Sequence, residues 1–437
     1  MDTRTAWQYP DNIANPAPAG TETPIELEDT MSRTWRPPSS RMSATRGLYL
    51  PEVSRRGLLR GAALGSTGLA LPSLLASCGT EGAQVESGDC TSTDRSEEEK
   101  ELVFGNWIGY VDPVKKPDTS TLEKFQQDTG ITVDYRNGDV NDNESFFAKV
   151  SPQLQDCKAT GRDIFVVTDW MAARMIDLGW IQELDHANMP NVKANILDLL
   201  ASPQWDPERS YSVPWQSGMT GICYNEELTD PVTSFKDLLS RPDLNGKVVL
   251  LKEMRDTMTF MLLLQDSDPE DFSDEEFSDA ISALQKVVDS GQVRRFAGND
   301  YIDDMKSGDI VACEAWSGDV INLLGGGKYK WVPPEEGFSV WTDNMLVPNK
   351  AEHKTNAELL MDFYYDPVNA AQLAAWNYYF CPVKGAQEEI AQFDKSAAKS
   401  DFIFLDDATL ENGYSFMALS EEQSTDYQRQ FNEVLGG

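Results

Sequence analysis

The sequence predicts an α/β protein built from two domains, and three observations support this class. Short runs rich in Val, Ile and Phe alternate with amphipathic segments from residue 102 onwards, which is typical of mixed or parallel sheets flanked by helices. The chain has 437 residues, which is more than one hydrophobic core usually serves. We see no internal repeat, so a solenoid is not indicated.

β-Branched and apolar runs predict the strands. The predicted strands cover residues 102–104, 131–135, 163–167, 211–214, 221–225, 247–251 and 310–316, and residues 338–348 are predicted to be extended. Because segments with a helical period lie between most of these runs, successive strands are expected to pair in parallel.

Cap residues and a helical apolar period predict the helices. Thr119 or Ser120 can cap the first helix, Leu122 and Phe125 share one of its faces, and Gly130 can end it. The predicted helices cover residues 119–130, 146–154, 170–178, 234–240, 273–289, 301–307, 318–324, 357–363, 367–376 and 425–435, and the rest of the C-terminal region is also predicted to be helical.

The composition indicates a strongly acidic protein. There are 37 Lys and Arg residues against 72 Asp and Glu residues, a formal net charge of −35. Such a chain repels nucleic acid and anionic lipid, so no nucleic-acid partner is predicted. Solubility or adaptation to salt accounts for most of these charges, but the same field would steer a soluble cation towards the protein.

The N-terminal region predicts export from the cytoplasm. Residues 1–53 are polar and rich in Pro, which predicts disorder, and Met42 is an alternative start. Residues 54–78 contain the pair Arg55-Arg56, a short interrupted apolar run, and a small-residue stretch that ends on Cys. This order predicts a twin-arginine signal with a lipobox.

Cys78 is the predicted site of lipidation. Residues 79–100 are rich in Ser, Thr, Glu and Gly, which predicts a flexible spacer. The apolar run before Cys78 is too short to span a membrane, which takes about 20 apolar residues. A plain secretion signal with a chance Cys, or a buried apolar helix, is the alternative. The predicted location is the periplasm or the outer face of the cytoplasmic membrane, with a lipid chain as the anchor.

The remaining cysteines allow disulfides. No Cys-x-x-Cys pair occurs, so neither a zinc ribbon nor a thioredoxin-like site is indicated. Disulfides persist outside the cytoplasm, and we consider the pairings Cys90–Cys157 and Cys223–Cys313. The fifth of these cysteines is Cys381.

An ordered set of motifs runs from residue 102 to the C-terminus. The motifs are FGNWIGYVDP at 104–113, LEKFQQDTGI at 122–131, NESFFAK at 143–149, DIFVVTDW at 163–170, YSVPW at 211–215, WSG at 316–318, WTD at 341–343 and YFCP at 379–382. Together they resemble the periplasmic spermidine/putrescine-binding proteins of polyamine ABC transporters. No single motif is decisive, but their order is specific.

The resemblance implies a two-lobed periplasmic-binding-protein fold whose lobes close over a ligand by a hinge motion. Lobe one is expected at 101–222 plus 344–370, and lobe two at 223–343 plus 371–437. The implied function is that of a substrate-binding component of an ABC importer, a monomer that captures spermidine or putrescine and delivers it to the permease subunits. No catalysis, cofactor or metal is implied.

The resemblance also implies a cleft lined by aromatic rings. A polyamine is a row of ammonium groups joined by methylenes, so rings suit its chain, and a well-placed ring contributes roughly 0.5–2 kcal/mol. The matching cleft residues are Trp107, Tyr110, Thr168, Asp169, Trp170, Trp316, Trp341 and Tyr379. Packing in the core is the alternative for the rings, and Tyr378 could replace Tyr379.

Three carboxylates match the acids of the family's site. Asp343 matches the carboxylate that pairs with an amine, with a solvated hinge charge as the alternative. Glu253 and Asp256 match a second acid pair in swapped order, and at i and i+3 they share one face if a helix starts there. Arg255 lies between them and could be their partner instead.

Three positions depart from the family's pattern or add to it. Met417 stands where the family often has Gln, so either one amine contact is missing or the alignment slips. Trp170 replaces a Tyr, which keeps the ring but changes the hydroxyl contact. Glu144 could add a carboxylate to the cleft, with a solvated loop as the alternative.

Other function classes have less support. Only His186 and His353 occur, and no Gly-x-Ser-x-Gly elbow is present, so an enzyme that relies on His or on such a Ser is not indicated. A sugar receptor also stacks its ligand on Trp, but neutral amides and Arg would be expected in its cleft. A receptor that serves a sensor rather than a permease stays open, as does one for another organic cation.

Overall fold

The computed structural model describes residue 90 and residues 92–113, 119–400, 402–404 and 412–436. They all belong to the unit Thr80–Gly437. The predicted N-terminal extension, the twin-arginine signal and Cys78 lie outside the described residues. Among the described residues, no helix is both long and apolar enough to cross a bilayer.

The described residues form ten strands, numbered here in chain order. They are β1 Glu101–Trp107, β2 Thr132–Val140, β3 Ile164–Thr168, β4 Ser212–Asn225, β5 Val248–Leu251, β6 Val293–Ala297, β7 Ala312–Trp316, β8 Tyr329–Val332, β9 Phe338–Leu346 and β10 Gly413–Tyr414.

The helices lie between the strands and after them. They are α1 Thr121–Thr129, α2 Asn143–Gln155, α3 Asp169–Asp177, α4 Pro190–Asn195, α5 Phe235–Ser240, α6 Met254–Leu263, α7 Asp274–Asp289, α8 Tyr301–Ser307, α9 Ser317–Asn322, α10 Lys354–Tyr364, α11 Pro367–Asn377, α12 Ala386–Glu389 and α13 Glu421–Leu435.

Two groups of parallel strands are joined by a pair of antiparallel strands. The strand order is β2-β1-β3-β9-β4-β7-β5-β6, with β10 beside β9 and β8 beside β4. Strand β1 pairs in parallel with β2 and β3, and β5 does so with β6 and β7. Strands β4 and β9 pair antiparallel with each other and with β7 and β3, respectively. The predicted α/β class is confirmed, with a mixed sheet that β4 and β9 make continuous.

Strand β4 corrects one prediction. The sequence predicts two short strands, but β4 is one strand of 14 residues. The intervening residues 216–218 are small or polar, so the apolar run expected of a buried strand is interrupted. They nevertheless pair with β9, in a ladder that extends from Ser212 to Thr220 with one irregularity next to Pro214.

The helix caps follow the predicted residues. Ser120 accepts a hydrogen bond from the first turn of α1, and Gly130 ends that helix in the left-handed region at φ 72°. Ser273 and Glu276 form a capping box at the start of α7. The prediction of an entirely helical C-terminal region is wrong, because β10 pairs with β9 there.

The core consists of two hydrophobic clusters. One surrounds β1 and β3 with helices α1–α3, α10 and α11 and continues to β7 and α9, and the other packs α5, α6, α7 and α13. Strand β5 serves both, since Val248 and Leu250 belong to the second cluster and Val249 and Leu251 to the first. The predicted residue boundaries of the two lobes stay a prediction.

Residues 92–100 form an N-terminal strap that is bound to the rest of the protein. The prediction of a flexible spacer is therefore wrong for this range. The backbone of the strap binds the start of α10, with the Arg95 amide donating to the Glu352 carbonyl at 2.7 Å. Asn356 donates to the Glu99 and Glu101 carbonyls at 2.9 Å each. These partners lie far along the chain, so composition alone could not reveal that the strap is bound.

The cysteines support one of the two predicted pairings. Cys90 and Cys157 form a disulfide, whereas Cys223 and Cys313 are buried free thiols. These two lie directly opposite each other on β4 and β7. Such a pair keeps its Cβ atoms about 4.5–5.5 Å apart, wider than the roughly 3.5–4.5 Å of a disulfide. The Cys223–Cys313 prediction is therefore wrong.

Candidate ligand-binding site

A cavity opens where several strands end. Trp107 ends β1, Thr168 ends β3, Trp316 ends β7, and Glu253 follows β5. Carboxylates, polar side chains and aromatic rings from these strand ends line the cavity together. Since ligands of open α/β sheets bind at the carboxyl ends of strands, the fold itself places a site here.

The Asp343 carboxylate is buried in this cavity, with 1% of the residue exposed. Strand β9 places it opposite Thr168 in the ladder with β3. The Tyr110 hydroxyl donates to its Oδ2 at 2.8 Å, and the Thr168 hydroxyl donates to its Oδ1 at 2.8 Å. Each carboxylate oxygen thus has one donor, and its remaining capacity is available to a cation.

A chain of hydrogen bonds joins Thr168 to the acid at the start of α6. The Asn143 side chain donates to the Thr168 hydroxyl at 2.8 Å and to Glu253 Oε1 at 3.1 Å. The Asn143 backbone amide also donates to Glu253 Oε1, at 2.6 Å. Asn143 begins α2 and Glu253 occupies the position just before α6, so these bonds connect the two groups of strands beside the cavity.

Asp256 is oriented by two donors. The Thr220 hydroxyl donates to its Oδ1 at 2.8 Å, and the Trp316 indole donates to its Oδ2 at 3.1 Å. The Trp341 indole in turn donates to the Thr220 hydroxyl at 2.9 Å. Two of the predicted ring walls are therefore tied to the carboxylate that they flank. Helix α6 does begin at residue 254, so the condition placed on the Glu253 and Asp256 pair is met.

Tyr379 is positioned by a buried acid behind it. Its hydroxyl donates to Asp319 Oδ1 at 2.6 Å, and Tyr301 donates to Asp319 Oδ2 at 2.9 Å. A Cβ at Gly318 would lie 2.5 Å from the Tyr379 ring, and a Cβ at Gly218 would lie 2.5 Å from the Trp341 ring. Only glycine at these two positions lets the rings approach the backbone this closely.

The rings contact one another around the cavity. The Trp107 and Trp316 centroids are 5.7 Å apart in an edge-to-face arrangement, and the Tyr110 and Tyr379 centroids are 5.0 Å apart. Trp341 lies 5.6 Å from Tyr379. Edge-to-face contact is a favourable arrangement of aromatic rings, so in this structure the rings form one continuous wall.

Burial raises the pKa values of the cavity acids. It raises the pKa of Asp343 to about 7, although the hydrogen bonds from Tyr110 and Thr168 lower it. It raises the pKa of Asp169 to about 6 and that of Glu253 well above its usual range. The pKa of Asp256 is also raised by burial. A cation that entered the cavity would favour the ionised form of each group.

The structure brings all the residues predicted to bind ligand into this one cavity. Its lining includes Trp107, Tyr110, Thr168, Asp169, Trp170, Glu253, Asp256, Trp316, Trp341, Asp343 and Tyr379. Their contact with a ligand stays a prediction. The alternative reading, that the rings pack in the core, is also partly right. Most of the rings are buried in the first hydrophobic cluster, and they line the cavity as well.

The structure also places the three residues whose part in the cleft was left open, Glu144, Tyr378 and Met417. Glu144 lies 3.6 Å from Arg174 and is not part of the cavity lining among the described residues. The Tyr378 hydroxyl donates to Asp394 at 2.8 Å, so Tyr379 is the cavity ring. Met417 lies in a neighbouring groove.

Several lining residues escaped the sequence reasoning. They are Asn143, Arg255, Asn299, Ser339, Val340, Ser415 and Phe416. Asn143 had a signal, because it follows a strand and begins a helix, where side chains reach a sheet's carboxyl edge. Phe416 and Ser415 stand one and two residues before Met417, the position at which the family often has Gln.

Comparison with known proteins identifies relatives along most of the chain. The spermidine/putrescine-binding periplasmic protein of Escherichia coli K12 is 27% identical over 325 residues, 74% of this chain and 88% of that protein. The putrescine-binding periplasmic protein PotF of the same organism is 26% identical over 306 residues, 64% of this chain and 78% of that protein.

A solved structure supports the fold. A Listeria monocytogenes protein assigned to a spermidine/putrescine ABC transporter superposes with a TM-score of 0.67 at 24% identity, over 77% of this chain and 99% of that one. The two-lobed fold of periplasmic binding proteins is thereby confirmed. The family model described as bacterial extracellular solute-binding protein matches residues 120–400, more than half of the chain. The protein therefore belongs to the bacterial extracellular solute-binding proteins, a family of transport proteins rather than a class of enzymes.

Proposed function

We propose that the protein is the substrate-binding component of an ABC importer and that it captures a polyamine, spermidine or putrescine, in this cavity. The observation that carries the proposal is the set of four carboxylates, Asp169, Glu253, Asp256 and Asp343, that line one cavity together with aromatic rings. Buried charges have to be paired, and a ligand with several ammonium groups pairs them.

The hydrogen-bonding inventory of the cavity also suits a cation. An ammonium group has donors and no acceptor, so its site needs acceptors. Asn299 donates its amide hydrogen to Asp319 at 2.9 Å, and its buried Oδ1 has no partner among the described residues. Because Asn299 lines the cavity, this oxygen is a further acceptor for a ligand ammonium.

A sugar is the alternative ligand. Sugars also stack on Trp, but their hydroxyls need both donors and acceptors from the protein. The four carboxylates offer acceptors, and among the described lining residues Arg255 is the only Lys or Arg. The names of the relatives agree with this preference, because both relatives described above are named for polyamines.

Calorimetric titration of residues 79–437 tests the ligand class. We expect one-to-one binding of putrescine, spermidine or spermine and no heat with a panel of neutral sugars. Heat with a sugar and none with any amine would contradict the polyamine proposal and leave the two-lobed receptor intact. The titration also ranks the three amines.

Polyamine binding is expected to weaken in acid. The Asp343 carboxyl has a pKa of about 7 without ligand, and only its ionised form pairs with an ammonium. Below that pH a proton has to leave before the ligand binds, so the Kd rises by up to about tenfold per pH unit for each such group. The amines stay protonated over this range, since amines of this kind titrate near pH 10.

Titrations between pH 5.5 and 8.5 measure this dependence. Binding near pH 7 should release protons, which appears as a heat that varies with the ionisation enthalpy of the buffer. An affinity that is the same at pH 5.5 and pH 8.5 would contradict the assignment of Asp343 as an ammonium partner.

The importer role extends the family's function to a cycle of capture and delivery. The open form takes up the ligand, β4 and β9 serve as the connection about which the lobes close, and the closed form docks on the permease. The protein acts as a monomer, performs no chemistry on the ligand, and leaves ATP hydrolysis to other subunits. Titration with purified permease, with and without polyamine, would test the docking step.

The route outside the cytoplasm forms the last part of the proposal. The relatives are named as periplasmic proteins, in keeping with export. The twin-arginine signal and lipidation of Cys78 are supported by the sequence pattern of residues 54–78. Fractionation of cells that carry Cys78→Ala tests the anchor, since an unchanged share of protein in the membranes would contradict it.

A further inference from the structure

Arg255 is a cation that already belongs to the cavity. It lies in the first turn of α6, between the two acids Glu253 and Asp256. Its guanidinium carbon is 3.6 Å from the centroid of the Trp170 ring and 5.8 Å from that of Phe416. A guanidinium over a Trp face is held by the same cation–π attraction that would hold a ligand ammonium there.

The charges around Arg255 are those of a cation site. The carboxylates of Glu144, Glu253 and Asp169 act on its guanidinium. Two of them, Glu253 and Asp169, line the cavity. The guanidinium is therefore attracted by acids that a polyamine would also pair with.

Arg255 also stands at the border of two spaces. The cavity and a neighbouring groove share Asp169, Trp170, Arg255 and Phe416 among their lining residues. A ligand that extends from the cavity towards the groove therefore meets the guanidinium on its Trp170 face.

We propose that Arg255 is a specificity-determining residue that occupies one cation position at this end of the cavity and thereby disfavours longer polyamines. The inference rests on the proposed polyamine function. A diamine leaves the guanidinium in place and uses the other acids. A triamine brings a further ammonium towards Trp170, where it has to displace Arg255 or be repelled by it.

The test compares putrescine with spermidine in the wild type and in Arg255→Gln. Gln is shorter and neutral, so the Trp170 face becomes free and the repulsion disappears. We expect the ratio of spermidine affinity to putrescine affinity to rise by about tenfold, the effect of one charge-assisted contact at a partly buried site. Arg255→Lys keeps the charge and should leave the ratio close to that of the wild type.

Arg174→Gln is the matched control. It removes the same charge from the same groove, but Arg174 stacks on Phe147, 4.2 Å from its centroid, and does not line the cavity among the described residues. This variant should change the affinities for both amines by a common factor and leave their ratio unchanged.

Each result decides the question. A ratio in Arg255→Gln equal to that of the wild type would overturn the inference and leave the polyamine function standing. Loss of both amines in Arg255→Gln, with an unchanged thermal unfolding midpoint, would also overturn it, because the guanidinium would then support the site instead of obstructing it. A wild type that binds neither amine would overturn the proposed function and the inference together.

Discussion

Replacing Asp343 by Asn should weaken polyamine binding by about two orders of magnitude. The carboxylate is buried and each of its oxygens accepts one hydroxyl, so it is oriented before the ligand arrives. Truncating one partner of a buried charge pair typically costs about 2–5 kcal/mol, or roughly 30-fold to several thousand-fold in Kd. Asn has nearly the same shape, so the fold should be retained. Titration of the variant with the best-bound amine measures the loss.

Two further variants sharpen this result. Asp343→Lys places the protein's own ammonium in the cavity and should abolish binding altogether. Asp303→Asn removes a charge of the same sign from an exposed position on α8 and should change the Kd by less than about twofold, because exposed charges are screened. Wild-type affinity in Asp343→Asn, with native stability, would show that the cavity assignment is wrong.

Removing the disulfide should produce the largest loss of stability. Cys90 and Cys157 are separated by 67 positions along the chain. The chain-entropy model gives about 4 kcal/mol for a closed loop of this length. We therefore expect the free energy of unfolding of Cys90→Ser/Cys157→Ser to fall by about 2–4 kcal/mol. Denaturant titration followed by circular dichroism measures the change.

Reduction provides the control for the disulfide. Dithiothreitol should destabilise the wild type to about the level of the double variant and should leave the double variant unchanged. The buried thiols of Cys223, Cys313 and Cys381 are free in both proteins, so they do not distinguish the two. Equal stability of the wild type and the double variant under oxidising conditions would contradict a structural role for this bond.

The fold was largely predictable because its signals are local. Ser120 with Gly130 delimits α1, and Ser273 begins α7 with a capping box; each signal lies within a few residues of the helix that it bounds. Strand β4 is not predicted as a unit because its apolar run is interrupted by polar residues and by Gly218, and Gly218 has a tertiary reason: it makes room for the Trp341 ring. No local pattern carries that information.

The candidate site shows the same division. The predicted acids and rings were found because a family pattern supplied their positions, and the structure gathers them in one cavity. The contacts that depend on distant partners were not foreseen. The sequence offers Arg255 as an alternative partner for Glu253 and Asp256, and in the structure its guanidinium lies on the Trp170 ring. No sequence signal pointed to Asp319, although it accepts the hydrogen bond that positions the Tyr379 hydroxyl.

The strap has a mechanical consequence. Chain ahead of Cys90 that came under tension would pass its load to the end of α2 through the disulfide and to the start of α10 through the strap's backbone bonds. The disulfide and the strap's hydrogen bonds would share this force, so neither attachment would carry it alone. Strands β4 and β9, the proposed connection between the lobes, take no part in these attachments, so such a load would bypass them.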